Sequence, residues 1–367
     1  MRVLHVYAGN LYGGVEAMLA TIARHRGAVP EMETRFALAY EGRLAGELRD
    51  AGAPVAILGG ARISRSWTVW SARRAMGKAI MSEKPDISIF HSAWTHGIFA
   101  PAARRADVPA VFWLHDAVSG GAAERLARRT PPRLAICTSE FVRATLPKLF
   151  PHAEGEVVHP AVAALPDVAV DRVAVRAELG TEAESVVIVQ ASRMEPWKGH
   201  RVHLEALGLL RDDPRWTCWL AGGAQRPHEL RHRDEMQALA ARLGIAERVR
   251  WLGERRDVPR LLAAADVLCQ PNLGPEPFGI TFVEAMYAGL PVIGAALGGA
   301  REIVTDATGV LVPPDDPSAT AEALRMLIGD AEMRARLGAA GPARARELCD
   351  PEMQMRKLHG ILTAGAA

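Results

Sequence analysis

Two glutamates separated by seven residues are the part of this sequence with the clearest chemical potential. Glu276 stands directly before a Pro-Phe-Gly turn, and Glu284 lies in the apolar segment that follows it. Pro277 fixes one backbone angle, and Gly279 can adopt angles that other residues avoid, so the turn is well specified. The pattern predicts a short buried helix over 280–288, with Glu284 about one turn inside it.

The start of this helix is a predicted phosphate site. The backbone amides of Gly279, Ile280 and Thr281 have no partner within the helix and lie at the positive end of its dipole. Carboxylates on either side of a phosphate can accept hydrogen bonds from hydroxyl groups. A ligand that carries both phosphate and hydroxyls, such as a sugar nucleotide, would suit this combination.

Each glutamate also has a simpler interpretation. Glu276 could be a solvated loop residue, and Glu284 could interact with the helix dipole. The neighbours of Glu284 favour a function, because a carboxylate beside Phe282, Val283 and Met286 is costly without hydrogen-bond donors. Ribose hydroxyls would supply such donors.

A basic pair follows an earlier predicted strand, 185–191. Arg193 and Lys198 lie in the connection to the next helix, at the carboxyl end of the strand, where open α/β sheets bind ligands. Arginine offers paired donors and lysine a point charge, which together suit a diphosphate. Ordinary surface charge is the alternative. Since no Asp-x-Asp motif follows an apolar strand, we expect no metal at this site.

These motifs resemble the Glu-seven residues-Glu signature and flanking segments of retaining glycosyltransferases of family 4, which have the GT-B architecture. The resemblance covers nearly the whole chain and includes several spaced segments in the expected order: 191–199, 266–271, 276–286, 289–294, 298–299 and 308–313. It implies transfer of a hexose-like sugar from a nucleoside diphosphate to an acceptor hydroxyl, without a resident cofactor or metal.

The resemblance also implies roles for individual residues. Arg193 and Lys198 would hold the pyrophosphate, Glu276 the transferred sugar and Glu284 the ribose, and His115, followed by Asp116, would hydrogen-bond the sugar. We count His115, Glu276, Arg193 and Lys198 as catalytic. The other predicted donor contacts are Gly13, Gly14, Gly253, Phe278, Gly279, Ile280, Thr281 and Glu284.

Strands and helices alternate in both halves of the chain, which predicts an α/β fold with two doubly wound parallel sheets. The resemblance specifies two Rossmann-like domains that face each other across a cleft. We predict an acceptor-binding domain over 1–160 and a linker region over 161–184. The proline-containing, turn-rich stretch 154–168 interrupts the alternation and marks the beginning of the linker. A nucleotide-sugar domain over 185–350 follows, and the helix over 351–367 is expected to return to the first domain.

Composition supports a protein of two domains. The chain has 367 residues, and its four cysteines show no paired spacing, which favours buried free thiols in a reducing compartment. Residues 1–150 carry a net charge of +8 and the remainder −6. This asymmetry suggests either a solubilising surface or attraction of the first half to an anionic acceptor or membrane. We expect a cytoplasmic protein, with peripheral membrane association as an option and without a nucleic-acid partner.

Other activities stay open at this level. A nucleotide-sugar epimerase of the same fold would use no acceptor, and a non-catalytic partner subunit would only bind the sugar nucleotide. A phosphorylase of this fold would need a pyridoxal lysine, which we cannot identify. The sugar, the nucleobase and the acceptor (a glycan, a lipid-linked molecule or a small molecule) are not specified. Acceptor contacts are expected around Tyr12, 63–70 and 118–122, in loops of the first domain.

Overall fold

A computed structural model describes residues 1–10, 12–164, 170–224 and 226–365. The chain divides into two compact units. The first is formed by Met1–Ala163 together with Cys349–Ala367, and the second by Ala164–Leu348. Each unit contains one parallel β-sheet with helices packed against it. This confirms the predicted α/β class with two Rossmann-like domains.

The sheet of the first unit has seven strands in the order β3-β2-β1-β4-β5-β6-β7. Successive residues of β1 enter different apolar clusters: Val3 packs with Met18 and Leu19, and Leu4 packs with Phe90 and Ile98. Such burial of both faces is typical of parallel sheets. The strands are β1 (Arg2–Tyr7), β2 (Glu33–Leu38), β3 (Val55–Ile57), β4 (Ile87–His91), β5 (Ala110–Leu114), β6 (Leu134–Cys137) and β7 (Glu154–Val157).

Helices connect these strands, and the last helix of the chain joins the same core. Met355, Leu358 and Leu362 of that helix are buried in the cluster that contains Met18 and Leu19. The helices are α1 (Gly14–Arg24), α2 (Arg43–Asp50), α3 (Ser66–Glu83), α4 (Ala93–Arg105), α5 (Ala122–Ala127), α6 (Glu140–Arg143) and, at the end of the chain, α15 (Pro351–Gly365).

The second unit has six strands in the order β10-β9-β8-β11-β12-β13. They are β8 (Val186–Ala191), β9 (Trp216–Ala221), β10 (Val249–Gly253), β11 (Val267–Gln270), β12 (Val292–Ala295) and β13 (Gly309–Val312). Its helices are α7 (Arg172–Glu178), α8 (His200–Gly208), α9 (Pro227–Arg242), α10 (Val258–Ala264), α11 (Ile280–Tyr287), α12 (Ala300–Ile303), α13 (Pro317–Gly329) and α14 (Ala331–Cys349).

Each sheet has one point at which the strand order reverses. In the first unit this point lies between β1 and β4, and in the second it lies between β8 and β11. Loops that follow such a pair of strands diverge and leave a crevice at the carboxyl edge of the sheet, where α/β proteins bind ligands. The predicted site residues of the second unit follow β8, β10 and β11.

The structure corrects three expectations from the sequence. Residues 154–157, predicted as the beginning of a linker, form edge strand β7, which pairs with β6. The stretch 161–184 contains helix α7, whose buried Arg176 binds Asp266 and the carbonyl of Ala264. The sequence of residues 140–150 predicts one helix, but the structure has α6 followed by a separate 3₁₀ turn there. Residues 165–169 of the predicted linker, and Leu11 of the loop before α1, lie outside the described residues.

All four cysteines are buried and free, as predicted. Among the described helices, none has the length and hydropathy that a membrane span requires.

Candidate functional site

The two predicted functional groups Lys198 and Glu276 form an ion pair in the second unit. Lys198 lies in a 3₁₀ turn after β8, and Glu276 lies in the loop after β11. The distance between Lys198 Nζ and Glu276 Oε2 is 2.7 Å. The two loops are also joined by their backbones, since the amide of Leu273 donates to the carbonyl of Trp197 at 2.8 Å. The reversal point of the sheet therefore brings together residues that are far apart in sequence.

Glu276 is nearly buried and strongly hydrogen-bonded. Its Oε2 also accepts from Asn272 Nδ2 at 2.8 Å and from Gln270 Nε2 at 3.3 Å. Oε1 receives none of these three bonds. Donors to one oxygen and a cation beside it hold the carboxylate in one orientation, so that the second oxygen can be offered to a ligand.

The backbone of Glu276 is fixed by a close approach to a diglycine. Glu276 forms an isolated bridge with Gly298, and its carbonyl accepts from the amide of Gly299 at 2.7 Å. Gly298 has a φ of +55°, and a Cβ atom there would lie 2.3 Å from the Glu276 carbonyl oxygen. This contact explains physically why glycine is needed at position 298.

Arg193 belongs to a second charged group at the same edge of the sheet. Its guanidinium contacts the carboxylate of Glu195, and its Nη2 lies 3.6 Å from Glu229 Oε1. Glu195 also accepts from Trp197 Nε1 at 2.8 Å. Glu229 is fully buried, and its other oxygen accepts from the amide of Arg226, at the beginning of α9. The arginine therefore lies beside two carboxylates, and that of Glu229 is fully buried.

The predicted phosphate site at α11 has the expected local structure. Gly279 caps the helix with a φ of +117°, and Ile280 is the first residue of the helix. Thr281 Oγ1 donates to the carbonyl of Ala191 at the end of β8, at 3.3 Å. Phe278 is buried against Gly299. The first turn of α11 therefore lies against the end of β8, after which Arg193 and Lys198 follow.

Glu284 lies one turn into α11 and is partly buried. Burial raises the pKa of its carboxyl group to about 7, and desolvation is the whole cause of this rise. At neutral pH the carboxyl group therefore exchanges between charged and neutral forms, and any donor that approaches it would favour the charged form. A raised pKa of this kind is expected for a carboxyl group that has no hydroxyl donors in the ligand-free protein and would gain them from a ligand.

Gly253 ends β10, and its carbonyl accepts from the amide of Gly222 at 2.7 Å. It lies at the same carboxyl edge as Arg193, Lys198 and Glu276, because the strands are parallel. The contact of Gly253 with the donor remains a prediction.

In the first unit, the structure surrounds His115 with residues that the sequence did not point to. His115 follows β5 and is nearly buried, and its Nε2 lies 2.9 Å from His91 Nδ1. His91 Nε2 in turn lies 2.9 Å from His5 Nδ1. The three rings come from β1, β4 and the end of β5, which are neighbours in the sheet. Burial lowers the pKa of His5 and of His115 to about 3, and that of His91 well below its ordinary value, so all three are neutral.

The predicted glycines of the first unit open its first helix. Gly13 is the N-cap of α1 and Gly14 its first residue, with buried Glu16 in the first turn. They follow β1 at the reversal point of this sheet. Tyr12, a predicted acceptor contact, donates to Glu47 Oε2 at 2.7 Å and stacks under Arg43.

The other two predicted acceptor segments have clear structures. Residues 63–70 lead into α3 and carry the exposed side chains of Trp67 and Trp70. The segment 118–122 folds onto Glu124, which accepts from the amides of Ser119 and Gly121.

Sequence reasoning missed several residues that hold the predicted ones in place. Gln270 and Asn272 bind Glu276, Glu195 and Glu229 hold Arg193, and His91 contacts His115. Gln270 and Asn272 could have been found, since polar side chains at the end of a buried strand face the ligand edge of a sheet. Within the described residues, no group of three or more His, Cys, Asp or Glu side chains is arranged to hold a metal ion.

Comparison with known families agrees with this geometry. Residues 171–344 match the model of the glycosyl transferases group 1, and residues 12–164 match the model of Glycosyltransferase Family 4. The two matches together span most of the chain. The chain belongs to the group 1, family 4 glycosyltransferases. The resemblance stated from the motifs is therefore confirmed at the level of family and GT-B fold.

Curated relatives match about half of this chain. The D-inositol 3-phosphate glycosyltransferase of Xylanimonas cellulosilytica is 38% identical over 185 residues, which is 50% of this chain and 43% of that protein. The protein of the same name from Corynebacterium glutamicum is 33% identical over 177 residues, or 47% and 42% of the two chains. The matched segment thus spans less than half the length of these relatives.

Solved structures match over the full length. HepE of Anabaena in complex with UDP-glucose is 25% identical, with a TM-score of 0.85, and the match covers 99% of this chain and 100% of HepE. HepE in complex with UDP is 26% identical, with a TM-score of 0.84 over the same shares. The lipopolysaccharide glycosyltransferase WaaG is 17% identical with a TM-score of 0.74, covering 99% and 100% of the two chains, and shares the fold.

Proposed function

We propose that this protein is a retaining glycosyltransferase that moves a hexose-like sugar from a nucleoside diphosphate to an acceptor hydroxyl. The observation that carries the proposal is the Lys198–Glu276 pair at the reversal point between β8 and β11, beside the first turn of α11. A cation, helix amides and a fixed carboxylate stand side by side there. A ligand with a diphosphate next to a hydroxyl-bearing sugar needs these three partners together.

The diphosphate would be bound by Arg193, Lys198 and the first-turn amides of α11. In the ligand-free chain both cations are neutralised by carboxylates, Arg193 by Glu195 and Lys198 by Glu276. A phosphate group would share these cations with the carboxylates or replace them. Charge that develops on the departing diphosphate would then meet preorganised donors, which is the usual origin of electrostatic catalysis.

Glu276 is assigned to the hydroxyls of the transferred sugar, and Glu284 to those of the ribose. Gly253, Phe278 and the diglycine Gly13-Gly14 are proposed to contact the donor, and His115 the sugar. Glu276 has a positioning role in this proposal, with attack from the leaving-group face and no covalent sugar-enzyme intermediate. The cations and amides would take the place of a metal ion.

HepE binds UDP and UDP-glucose in the structures that this chain matches, which supports a uridine diphosphate sugar as the first donor to test. The curated relatives are named D-inositol 3-phosphate glycosyltransferases, which supports testing a polyol phosphate among the acceptors. We propose a hydroxyl of a glycan, of a lipid-linked molecule or of a small polyol as the acceptor.

Calorimetry with nucleoside diphosphates tests the binding half of this proposal. Arg193→Ala and Lys198→Ala should each weaken the preferred nucleotide by about 2–5 kcal/mol, because a charged hydrogen bond to the phosphates is lost. Arg201→Ala is a matched control, since this nearby arginine pairs with Glu205 and Asp315 instead. Wild-type affinity in both Arg193→Ala and Lys198→Ala would refute the assignment.

Product analysis tests the chemical half. The enzyme is incubated with UDP-glucose and a panel of polyol and glycan acceptors, and NMR is used to determine the anomeric configuration of the product. Retention of the α-configuration is expected. Nucleotide binding without transfer to any acceptor would favour a non-catalytic partner subunit, and conversion of the donor without an acceptor would favour an epimerase.

A further inference from the structure

One face of α3 exposes large apolar side chains that the core does not explain. Trp67, Trp70 and Met81 are 67, 64 and 70% exposed. Arg74 and Lys78 stand between them at intervals of three and four residues, so all five side chains share one face of the helix. The opposite face is the one that packs, with Ala72, Met76 and Ala79 buried in the apolar cluster of the first unit. Two exposed tryptophans on one surface helix mark an interaction surface.

A basic groove lies beside this face, between α3, α4 and α5, with a volume of about 1110 Å³. Its cations are Arg73, Arg74, Lys78, Arg105, Arg125 and Arg129. Among the described residues that line the groove, none is acidic. Arg73 Nε and Nη2 donate to the carbonyls of Ile98 and Gly97, and its pKa is lowered by burial and then by the neighbouring Arg105 and Arg129. The groove therefore concentrates positive charge that no described carboxylate in its lining balances.

The exposed apolar face of α3 and the basic groove together favour a lipid bilayer as the partner. Tryptophan is favoured at the boundary between lipid headgroups and acyl chains, and arginine and lysine are favoured at anionic headgroups. From Trp67 to Met81 the helix extends about 21 Å, which lets the apolar side chains enter one planar surface while Arg74 and Lys78 reach phosphates. We propose that α3 and the basic groove bind the surface of a bilayer that contains anionic phospholipids. This binding is independent of the proposed transfer activity.

Vesicle sedimentation of the full chain tests the proposal. The protein should bind vesicles of phosphatidylcholine with 30% phosphatidylglycerol at least tenfold more tightly than vesicles of phosphatidylcholine alone, and 0.5 M salt should release most of it. Arg74→Gln with Lys78→Gln should weaken binding by about fivefold for each charge. Trp67→Ser with Trp70→Ser should reduce the fraction of protein that stays bound to the vesicles in 0.5 M salt.

The control changes one exposed cation and one exposed apolar side chain elsewhere. Arg325→Gln with Met326→Ala alters an exposed arginine and an exposed methionine on α13 of the second unit, and should bind as the wild type does. Equal binding to neutral and anionic vesicles, or equal binding by the α3 variants and the control, would overturn the proposal. So would binding of a labelled oligonucleotide through the same residues without vesicle binding, which would assign the groove to nucleic acid.

The chain of three histidines carries a second, independent inference. Each contact between rings needs one N–H and one lone pair, and a neutral imidazole has one of each. His5 Nε2 is buried without a hydrogen-bond partner among the described residues. In one arrangement His115 donates to His91 and His91 donates to His5. His5 then carries its own proton on Nε2, and a buried N–H group is rarely left unpaired inside a protein. In the other arrangement His5 donates to His91 and His91 donates to His115. His5 Nε2 then has only an unpaired lone pair, which is tolerated more often.

We infer that His5 and His91 act as positioning residues that set the tautomer of His115. In this arrangement His5 Nδ1 donates to His91 Nε2, and His91 Nδ1 donates to His115 Nε2. His115 Nε2 then has only its lone pair, so His115 keeps its proton on Nδ1. It therefore offers that nitrogen as a hydrogen-bond donor. The three low pKa values agree with a chain of neutral rings. The use of this donor on the transferred sugar rests on the proposed function.

Nitrogen-15 NMR of the imidazole rings tests the tautomer without measuring activity. The wild type should show a protonated Nδ1 and an unprotonated Nε2 for all three histidines. His5→Leu removes the first donor and should reduce the Nδ1–H population of His115, and His5→Asn, which restores an N–H near the same place, should recover it. A proton on His115 Nε2 in the wild type would overturn the inference, and so would an unchanged His115 in His5→Leu.

Kinetics then separate this inference from the proposed function. If His115 contacts the sugar, kcat of His5→Leu should fall about tenfold, the worth of one hydrogen bond, with unchanged nucleoside diphosphate affinity and recovery in His5→Asn. Unchanged kcat together with an altered tautomer would refute the sugar contact and leave the tautomer chain established.

Discussion

Binding of a nucleoside diphosphate should release a proton from Glu284, so the affinity should rise with pH. Burial raises the pKa of this carboxyl group to about 7 in the ligand-free protein. If ribose hydroxyls donate to Glu284 as proposed, they stabilise its charged form and lower the pKa in the complex. Below pH 7 the ligand must then displace a proton before it can bind.

The size of the effect follows from the fraction of Glu284 that is charged. With a pKa of about 7, roughly 10% of the groups are charged at pH 6 and roughly 90% at pH 8. If the pKa in the complex falls below about 5, the affinity at pH 8 exceeds that at pH 6 by about tenfold, or about 1.4 kcal/mol.

Isothermal titration calorimetry in buffers of different ionisation enthalpy measures both the affinity and the number of protons released. Because the phosphates of the ligand titrate in the same range, Glu284→Gln is the necessary control: it keeps the phosphate contribution and removes that of Glu284. The wild type should release close to one more proton than Glu284→Gln at pH 6. Equal proton release by the two proteins would refute the ribose assignment of Glu284.

The same pKa sets the sign of an effect on stability. Because the folded-state pKa lies above the unfolded value of 4.5, the folded protein binds the proton more tightly. The free energy of unfolding should therefore fall between about pH 4.5 and pH 7, by up to about 3 kcal/mol, and stay lower above that range. Denaturation of the second unit in Glu284→Gln should lack this fall.

Three further predictions concern Glu276, metal ions and Gly298. Glu276→Gln should lower kcat by on the order of 100-fold while nucleoside diphosphate affinity is largely kept, because a hydrogen bond that positions the reacting sugar is expressed in the transition state. Steady-state rates and calorimetry measure the two quantities, and normal turnover with collapsed affinity would show that the roles of Glu276 and Glu284 are reversed. Turnover should fall at most a few-fold in excess EDTA, since Arg193, Lys198 and helix amides complement the diphosphate. Consumption of the donor measures this rate. Loss of turnover in EDTA that magnesium or manganese restores would contradict this mechanism. Gly298→Ala should lower both kcat and the melting temperature, because the new Cβ would lie 2.3 Å from the Glu276 carbonyl oxygen in a left-handed backbone conformation. Unchanged kcat and melting temperature in this variant would show that the loop adapts without moving Glu276.

The sequence predicted the ends of strands better than the contacts beyond them. Apolar runs bounded by glycine, proline or charge are strong local signals, and they predict strands over 2–7, 55–57 and 267–270. These strands match β1, β3 and β11 at both ends. The edge strand β7 was missed since its sequence, Glu-Gly-Glu-Val, is short and polar and contains a glycine. Such a strand is defined by the neighbour with which it pairs, which local composition does not reveal.

In the candidate site, too, single residues could be predicted from the sequence but their contacts could not. Arg193, Lys198 and Glu276 could be recognised from motif spacing, but the contact between Lys198 and Glu276 depends on the pairing of β8 with β11. The three histidines meet only because β1, β4 and β5 are neighbours, in an order that differs from their order in the chain. A motif therefore identifies single residues, and the residues that orient them follow from strand order, which no local pattern encodes.

The position of α15 has a consequence for the order in which the chain folds during synthesis. Met355, Leu358 and Leu362 complete the core of the first unit, although the whole second unit lies between them and the rest of that core in sequence. The second unit is continuous, so it can fold as soon as its own residues have left the ribosome. The first unit must keep part of the apolar surface of α1 uncovered until α15 emerges. Although it is made first, it is the last to be finished, and its exposed surface during that interval is where chaperones would act.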